Sequence, residues 1–423
     1  MNIYINPSSK DWHRLTERNI PNDPEVDRAV KDILEDVRIH GDEALRRMAY
    51  QFDHTCISDF EVSKSEIESG CEAVSPEVKE AILVAKGNIG KFHSAQMPKE
   101  IEVEAMPGVK CIQRPVAIDR VGLYIPGGQA PLFSTVLMLA IPAKIAGCRE
   151  IILCTPQSND KPIAPEILYA ASICGVDHIY RIGGAQAIAA MAYGTPSIPR
   201  VDKIFGPGNR FVTKAKQQLS SVVAIDMPAG PSEVLIMADH TASPTFVAAD
   251  MLSQAEHGND SQAMLVCTTD KIAYAVRSEV ERLATQLSRT GSVSNSLSHS
   301  RLIVLNSTDD MIGFVNEYAP EHLIISMENP WEIAEEIRAA GSVFIGNFSP
   351  ESAGDYASGT NHTLPTGGWA RSYSGVNIDS FMRKITYQEL TRDGIASLAP
   401  TIITMADAEG LDAHALAVKV RIK

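Results

Sequence analysis

The apolar positions of the chain change rhythm twice. From Asp23 they recur at helical spacing: Val26, Val30, Ile33, Leu34 and Val37 mark one face, and Pro24 suits a first-turn position. Residues 42–52 continue in this style. A third helix is predicted over residues 75–94, with Val78, Ala81, Ile82, Val84 and Ala85 inward. Residues 1–20 read as a polar extension with weak structure. Beyond Val103, short apolar runs alternate with helical patterns. Strands are predicted at 121–125, 150–154, 178–182, 203–205 and 222–225, with helices at 134–146, 165–174, 185–193 and 209–219. A second series has strands at 234–237, 263–267, 302–305, 322–326 and 343–345, with helices at 245–254, 272–287 and from Met311 and Pro330. After Ser349 the pattern loosens into a glycine-rich loop, and the tail from Ile378 is again helical, ending at 413–420.

Such βαβ repetition implies a mostly parallel, doubly wound sheet. Two series in succession predict an α/β chain of two Rossmann-like lobes in tandem, with a helical N-terminal layer and a small helical C-terminal extension.

Composition narrows the class. The chain has 423 residues, 44% hydrophobic and 21% charged, as in an ordinary soluble globular protein of several domains. Its net charge of −14 disfavours nucleic acid or an anionic membrane as partner. It leaves room for an anionic cofactor, because backbone N–H groups bind phosphate without net charge. Residues 1–6 lack the basic and apolar regions of a signal peptide, and the longest apolar stretch, 136–143, is too short for a membrane span. Seven cysteines at irregular spacing, with no CxxC, argue against a disulfide framework or a Cys-ligated zinc, so a cytoplasmic location is expected. Cys148, Cys154, Cys174 and Cys267 lie in or beside apolar elements and read as core, not as nucleophiles.

Candidate chemistry gathers in five places. Gln254 and His257, three apart near the end of a predicted helix that Gly258 stops, form a possible start of a metal site; solvated or capping groups are the plain alternative. Gly206-Pro207-Gly208-Asn209 follows a strand and opens a helix, with Asp226 roughly 20 residues on, where a dinucleotide fingerprint places its ribose-binding acid. Phe211 stands where the third glycine belongs, and a tight βα turn explains the motif equally well. Tyr124, Gly127-Gly128, Gly183-Gly184-Ala185-Gln186 and residues 206–209 all fall at carboxyl ends of predicted strands, where open α/β sheets bind ligands. Glu321-His322 suits two distinct proton transfers, provided the strand entry after Pro320 is irregular enough to turn both to one cleft. The polar stretch 354–362 reads as a site loop or as filler, with Asp355 and His362 as possible ligands. Glu409 and His414, five apart in the tail, do not lie squarely on one helical face.

Several long blocks together are more specific than any one motif: 122–128, 183–188, 206–209, 226–233, 252–258, 318–323 and 354–365. In this order they resemble the histidinol dehydrogenase family, over about residues 23–414. The resemblance implies an NAD-dependent oxidation of L-histidinol through L-histidinal to L-histidine, with one zinc ion per subunit, in an intertwined homodimer. It implies that Gln254, His257, Asp355 and a His414 from the other subunit hold zinc, and that Glu321 and His322 are the acid–base pair. Substrate contacts would be Ser232, Gln254, His257, His322, Asp355, His362, Glu409 and His414, with Glu409 and His414 crossing the dimer. NAD contacts would be Tyr124, Gln186 and Asn209. The implied division is an extension (1–20), a first lobe carrying zinc and the acid–base pair (21–123 with 234–377), a second lobe on the NAD side (124–233) and a C-terminal extension (378–423). The alternative is a member of the family oxidising another small alcohol, such as a sulfonated diol. The presence of His362, Glu409 and His414 favours histidinol.

Overall fold

The computed structural model of the chain describes residues 1–18, 23–127, 131–159, 161–228, 230–287 and 290–423, the last range without the side chain of residue 290. Gly128 and Ala229 of the blocks above, and the division at residues 20 and 21, lie outside the described residues.

Among the described residues the fold is mixed α/β, built on two parallel sheets. One runs His178–Arg181, Glu150–Thr155, Arg120–Tyr124, Lys203–Phe205, Ala224–Ile225. In chain terms this is third, second, first, fourth, fifth, the doubly wound order whose switch point lies between the first and fourth strands. The other runs Asn2–Ile5, Arg301–Val304, Gln262–Cys267, Glu233–Ala238, His322–Ser326, Ser342–Ile345. Apart from its N-terminal edge strand it repeats that order, with its switch point between Glu233–Ala238 and His322–Ser326.

The strands read as unbroken apolar runs because both faces are covered. Ile151 and Leu153 point into one core, and Ile152 and Cys154 into another. In the second sheet Val234 and Ile236 face one core, Leu235 and Met237 the opposite one.

Four expectations need correction. The first residues are not a loose extension: Asn2–Ile5 pairs in parallel with Arg301–Val304, and Trp12 packs edge-on against Phe314. The N-terminal helices Pro24–His40 and Asp42–Asp53 pack on one face of the five-stranded sheet, and Pro76–Ser94 on the other. Their apolar stripes complete that core, so these helices do not group with 234–377. The tail from Ile378 is not all helical. Met382–Leu390 pairs with Val109–Ala117, which pairs with Ile101–Met106, in an antiparallel sheet. Finally, the supposed loop at 354–362 begins inside a helix, Glu351–Tyr356. Gly354 belongs there because a side chain would run into the Phe344 ring, 2.8 Å away.

Candidate functional site

The carboxyl-terminal part of helix Pro244–Ala255, the entry of strand His322–Ser326 and helix Glu351–Tyr356 converge at the amino ends of the adjacent strands Glu233–Ala238 and His322–Ser326. Gln254 is fully buried in the last turn of its helix. The helix stops at Ala255, so His257 lies beyond it, on a further turn closed by its N–H to the Gln254 carbonyl (3.3 Å). That turn sends His257 outward, and its Nε2 lies 3.8 Å from Asp355 Oδ2. Glu351 and Asp355, four apart on their short helix, put both carboxylates on one face. His257, Glu351 and Asp355 offer ligand atoms all within 4.8 Å of one another.

Glu321 and His322 do face one cleft. Ala319 ends the preceding helix in the left-handed region (φ 51°), and Pro320 follows, so Glu321 stands just before the strand rather than in its alternation. The Glu321 carboxylate accepts a hydrogen bond from the Glu233 N–H (2.8 Å). His322 Nδ1 lies 3.2 Å from the Glu233 carbonyl. A carbonyl only accepts, so Nδ1 carries the proton and donates. In the neutral ring Nε2 then holds the lone pair. That Nε2 is buried without a hydrogen-bond partner and lies 3.6 Å from Asp355 Oδ1.

The electrostatics follow from crowding. Burial raises the Glu321 and Glu351 carboxyls above the usual carboxylate range, against the opposing charge of His322. Burial lowers the His322 pKa, but Glu351, Glu321 and Asp355 more than reverse this, and the net shift is upward. Asp355, pushed up by burial, is pulled below its ordinary value by His322, His362 and His257. Asp355 is thus the carboxylate best prepared to stay charged.

His362 joins through its backbone neighbours. Its Nδ1 donates to the Asp355 carbonyl (3.0 Å), leaving Nε2 to accept from the Thr135 hydroxyl (3.3 Å). Thr135 belongs to helix Phe133–Ala146, which follows the first strand of the five-stranded sheet, so this contact ties the two halves of the fold. Ser232 is half-buried just ahead of strand Glu233–Ala238. Glu409 and His414 are not brought to the cluster: both are exposed, at the end of helix Arg392–Ala408 and in helix Asp412–Lys419.

The residues fit a divalent metal. In the orientation that satisfies it, the Gln254 amide nitrogen donates to Glu351 Oε2 (3.1 Å); turned over, it would offer its oxygen to a cation. With His257 and Asp355 alongside, the donor set is nitrogen and oxygen, suited to zinc, which binds such atoms at about 2.0–2.2 Å. Glu351 was missed from sequence. Its signal was the acid pair 351 and 355 after Pro350, hidden by reading Gly354 as loop.

The second group of candidates stands at the switch point of the five-stranded sheet. The Tyr124 hydroxyl accepts from the Gly184 N–H (3.0 Å), and Gln186 lies in the same helix turn. Gly206 (φ 124°) passes so close to the Tyr124 carbonyl that a Cβ there would overlap it. Asn209 caps helix Arg210–Leu219, its Oδ1 accepting from the N–H groups of Phe211 (3.0 Å) and Val212 (3.1 Å). Asp226 is not free for a ribose. Its carboxylate accepts from the Gly206 N–H (2.8 Å) and pairs with buried Lys216, which also donates to the Gly206 carbonyl (2.9 Å). It locks a tight βα turn. The Cys148, Cys154, Cys174 and Cys267 thiols are pushed well up by burial and do not suit nucleophiles.

A family profile described as histidinol dehydrogenase matches residues 16–422. A histidinol dehydrogenase of Bacteroides thetaiotaomicron is 53% identical over 423 residues, covering 100% of this chain and 99% of its own. That of Escherichia coli is 53% identical over 402 residues, covering 94% and 91%. The crystal structure of histidinol dehydrogenase from Elizabethkingia anophelis superposes with a TM-score of 0.97 at 51% identity, covering 100% of this chain and 98% of that one. Matched along nearly all its length, this chain belongs to the histidinol dehydrogenase family, NAD-dependent oxidoreductases of histidine biosynthesis.

Proposed function

We propose that the chain performs a zinc-dependent, four-electron oxidation of L-histidinol to L-histidine through L-histidinal, with two NAD reduced. The observation that carries this reading is the unpartnered, buried Nε2 of His322 beside a cluster fit for a cation. Gln254, His257 and Asp355 would hold the metal, with His414 of the partner subunit as the fourth ligand. Bound zinc supplies positive charge that grips the substrate imidazole and offsets the crowded carboxylates, and NAD supplies the hydride acceptor.

The proton work falls to this chain. In the neutral form that cation charge beside Glu351 and Asp355 would favour, His322 Nε2 is placed to take the hydroxyl proton of the alcohol, with Nδ1 held by the Glu233 carbonyl. Glu321, raised by burial, is a base of suitable strength for the water that adds to the aldehyde. Ser232, His362 and Glu409 would orient the substrate, Glu409 from the other subunit. Keeping one substrate through both oxidations keeps the reactive aldehyde from escaping.

The two parallel sheets are read as two Rossmann-like lobes: the five-stranded one on the NAD side with Tyr124, Gln186 and Asn209, the six-stranded one with the metal and proton-transfer residues. The exposed Leu411, Leu416, Val420 and Ile422 of the C-terminal segment suit the surface of an intertwined homodimer. No helix among the described residues is long and apolar enough to cross a membrane, and the buried Cys148, Cys154, Cys174 and Cys267 are thiols; a cytoplasmic setting accords with those thiols.

The test is purified protein with zinc, NAD and L-histidinol, followed at the NADH absorbance and for product. Histidine with two NADH formed for each is the expected result. Turnover of other small diols but not histidinol would reject the substrate, and no turnover of any alcohol would reject the enzyme reading.

A further inference from the structure

Both proton-transfer residues lean on one peptide segment. The N–H of Glu233 binds the Glu321 carboxylate (2.8 Å) and its carbonyl faces His322 Nδ1 (3.2 Å). Whatever fixes the backbone of Glu233 therefore fixes both groups. Its side chain is anchored in turn. The Arg18 guanidinium grips the Glu233 carboxylate with two donors, Nε to Oε1 (2.7 Å) and Nη2 to Oε2 (3.0 Å). Oε1 also accepts from the Gly367 N–H (2.9 Å), at the end of the site loop. The same Arg18 Nη2 reaches the Tyr318 carbonyl (2.6 Å), and the guanidinium lies 3.9 Å over the Tyr318 ring. Tyr318 is the last residue of the helix before Ala319, Pro320 and Glu321.

Arg18 thus joins the two segments whose relative placement sets the geometry of the acid–base pair. The pair is shielded, with only 12% of the Arg18 and 4% of the Glu233 side chain exposed. A bidentate guanidinium–carboxylate contact in such a setting fixes direction as well as distance.

We infer that the Arg18–Glu233 ion pair is a positioning device for catalysis: it holds the Glu233 peptide groups that orient Glu321 and His322, without touching substrate. This rests on the acid–base reading of Glu321 and His322 given above.

The test uses Arg18→Met, Arg18→Lys, Glu233→Gln and the double variant Arg18→Met/Glu233→Gln, in the full chain with zinc, NAD and L-histidinol. Displacement of the pair by a fraction of an ångström to an ångström should lower kcat by up to about a hundredfold, with KM for histidinol changed by about threefold or less. Arg18→Lys, which keeps the charge but not the two-pronged contact, should recover only a small part of the loss. The double variant should be no slower than the slower single one, because the two side chains act as a unit. Wild-type kcat in folded Arg18→Met, a loss confined to KM, or losses that multiply in the double variant would each overturn the inference. Should Arg18→Met fail to fold, Glu233→Gln decides, since it keeps volume and an acceptor for Gly367: unchanged kcat there overturns it. If the wild-type protein does not oxidise histidinol, the functional reading fails instead. The pair is then judged by the Nδ1 proton resonance of His322, which should move in the Arg18 and Glu233 variants and overturns the inference if it does not.

Discussion

Glu321 and His322 are adjacent in sequence yet serve different partners, because the left-handed Ala319 and Pro320 delay the strand by one residue. Glu321 takes the Glu233 N–H; His322 takes the carbonyl and keeps Nε2 open. If Nε2 accepts the alcohol proton, His322→Asn should slow oxidation of histidinol more than oxidation of supplied histidinal. Glu321→Gln should harm the aldehyde step at least as much as the alcohol step. Single-turnover NADH formation from each substrate measures both, and the opposite ordering would exchange the roles. The pair itself was legible in sequence, but its common orientation was not, since it depends on one φ angle. Gln254 was legible only as one of two donors near a helix end, and nothing in spacing prefers an amide over neighbouring Glu256. Its burial against Glu351 is tertiary, and so is the service of Asp226 to the Gly206 turn rather than to a ribose.

At the scale of elements, the parallel strands were readable because both their faces are buried and their runs are apolar throughout. The antiparallel sheet was not: Ile101–Met106 is exposed along nearly all its length, so no apolar alternation marks it. The helix carrying Glu351 and Asp355 was hidden by its glycine. One junction makes the dependence of the site on its elements testable. Gly341 precedes strand Ser342–Ile345, and its N–H donates to the Pro320 carbonyl (2.9 Å). A Cβ there would stand 2.6 Å from the Glu321 carbonyl oxygen and 3.2 Å from Leu364 Cβ. Overpacking of this kind costs about 1–3 kcal/mol. Gly341→Ala should therefore lower the free energy of unfolding by that amount, read from the shift of the denaturation midpoint. Because the strain falls on the Glu321 backbone, it should reduce kcat beyond the fraction unfolded. A variant with normal stability and normal kcat would show that the strand edge moves aside without disturbing the acid.

The whole molecule leaves one part of the proposed site outside its own reach. Glu409 and His414 sit exposed on two C-terminal helices that also expose Met405, Leu411, Leu416 and Val420. A chain that used its own His414 would have to fold that segment back onto His257 and Asp355. A chain that used its partner's would leave it exposed and outside its own cluster, as it is here, with an apolar surface for the partner to cover. The two arrangements predict opposite results when two inactive variants are mixed. His322→Asn spoils the core of the site and His414→Asn spoils the arm. If arms are exchanged, a mixed dimer has one site with both lesions and one with neither. Random reassortment of equal amounts should then restore about a quarter of wild-type activity, half the dimers being mixed and each having one good site of two. If each arm serves its own core, every site in a mixed dimer carries one lesion and no activity returns. Assay of the mixture after reversible dissociation separates the cases, with each variant dissociated and reassociated alone as the baseline.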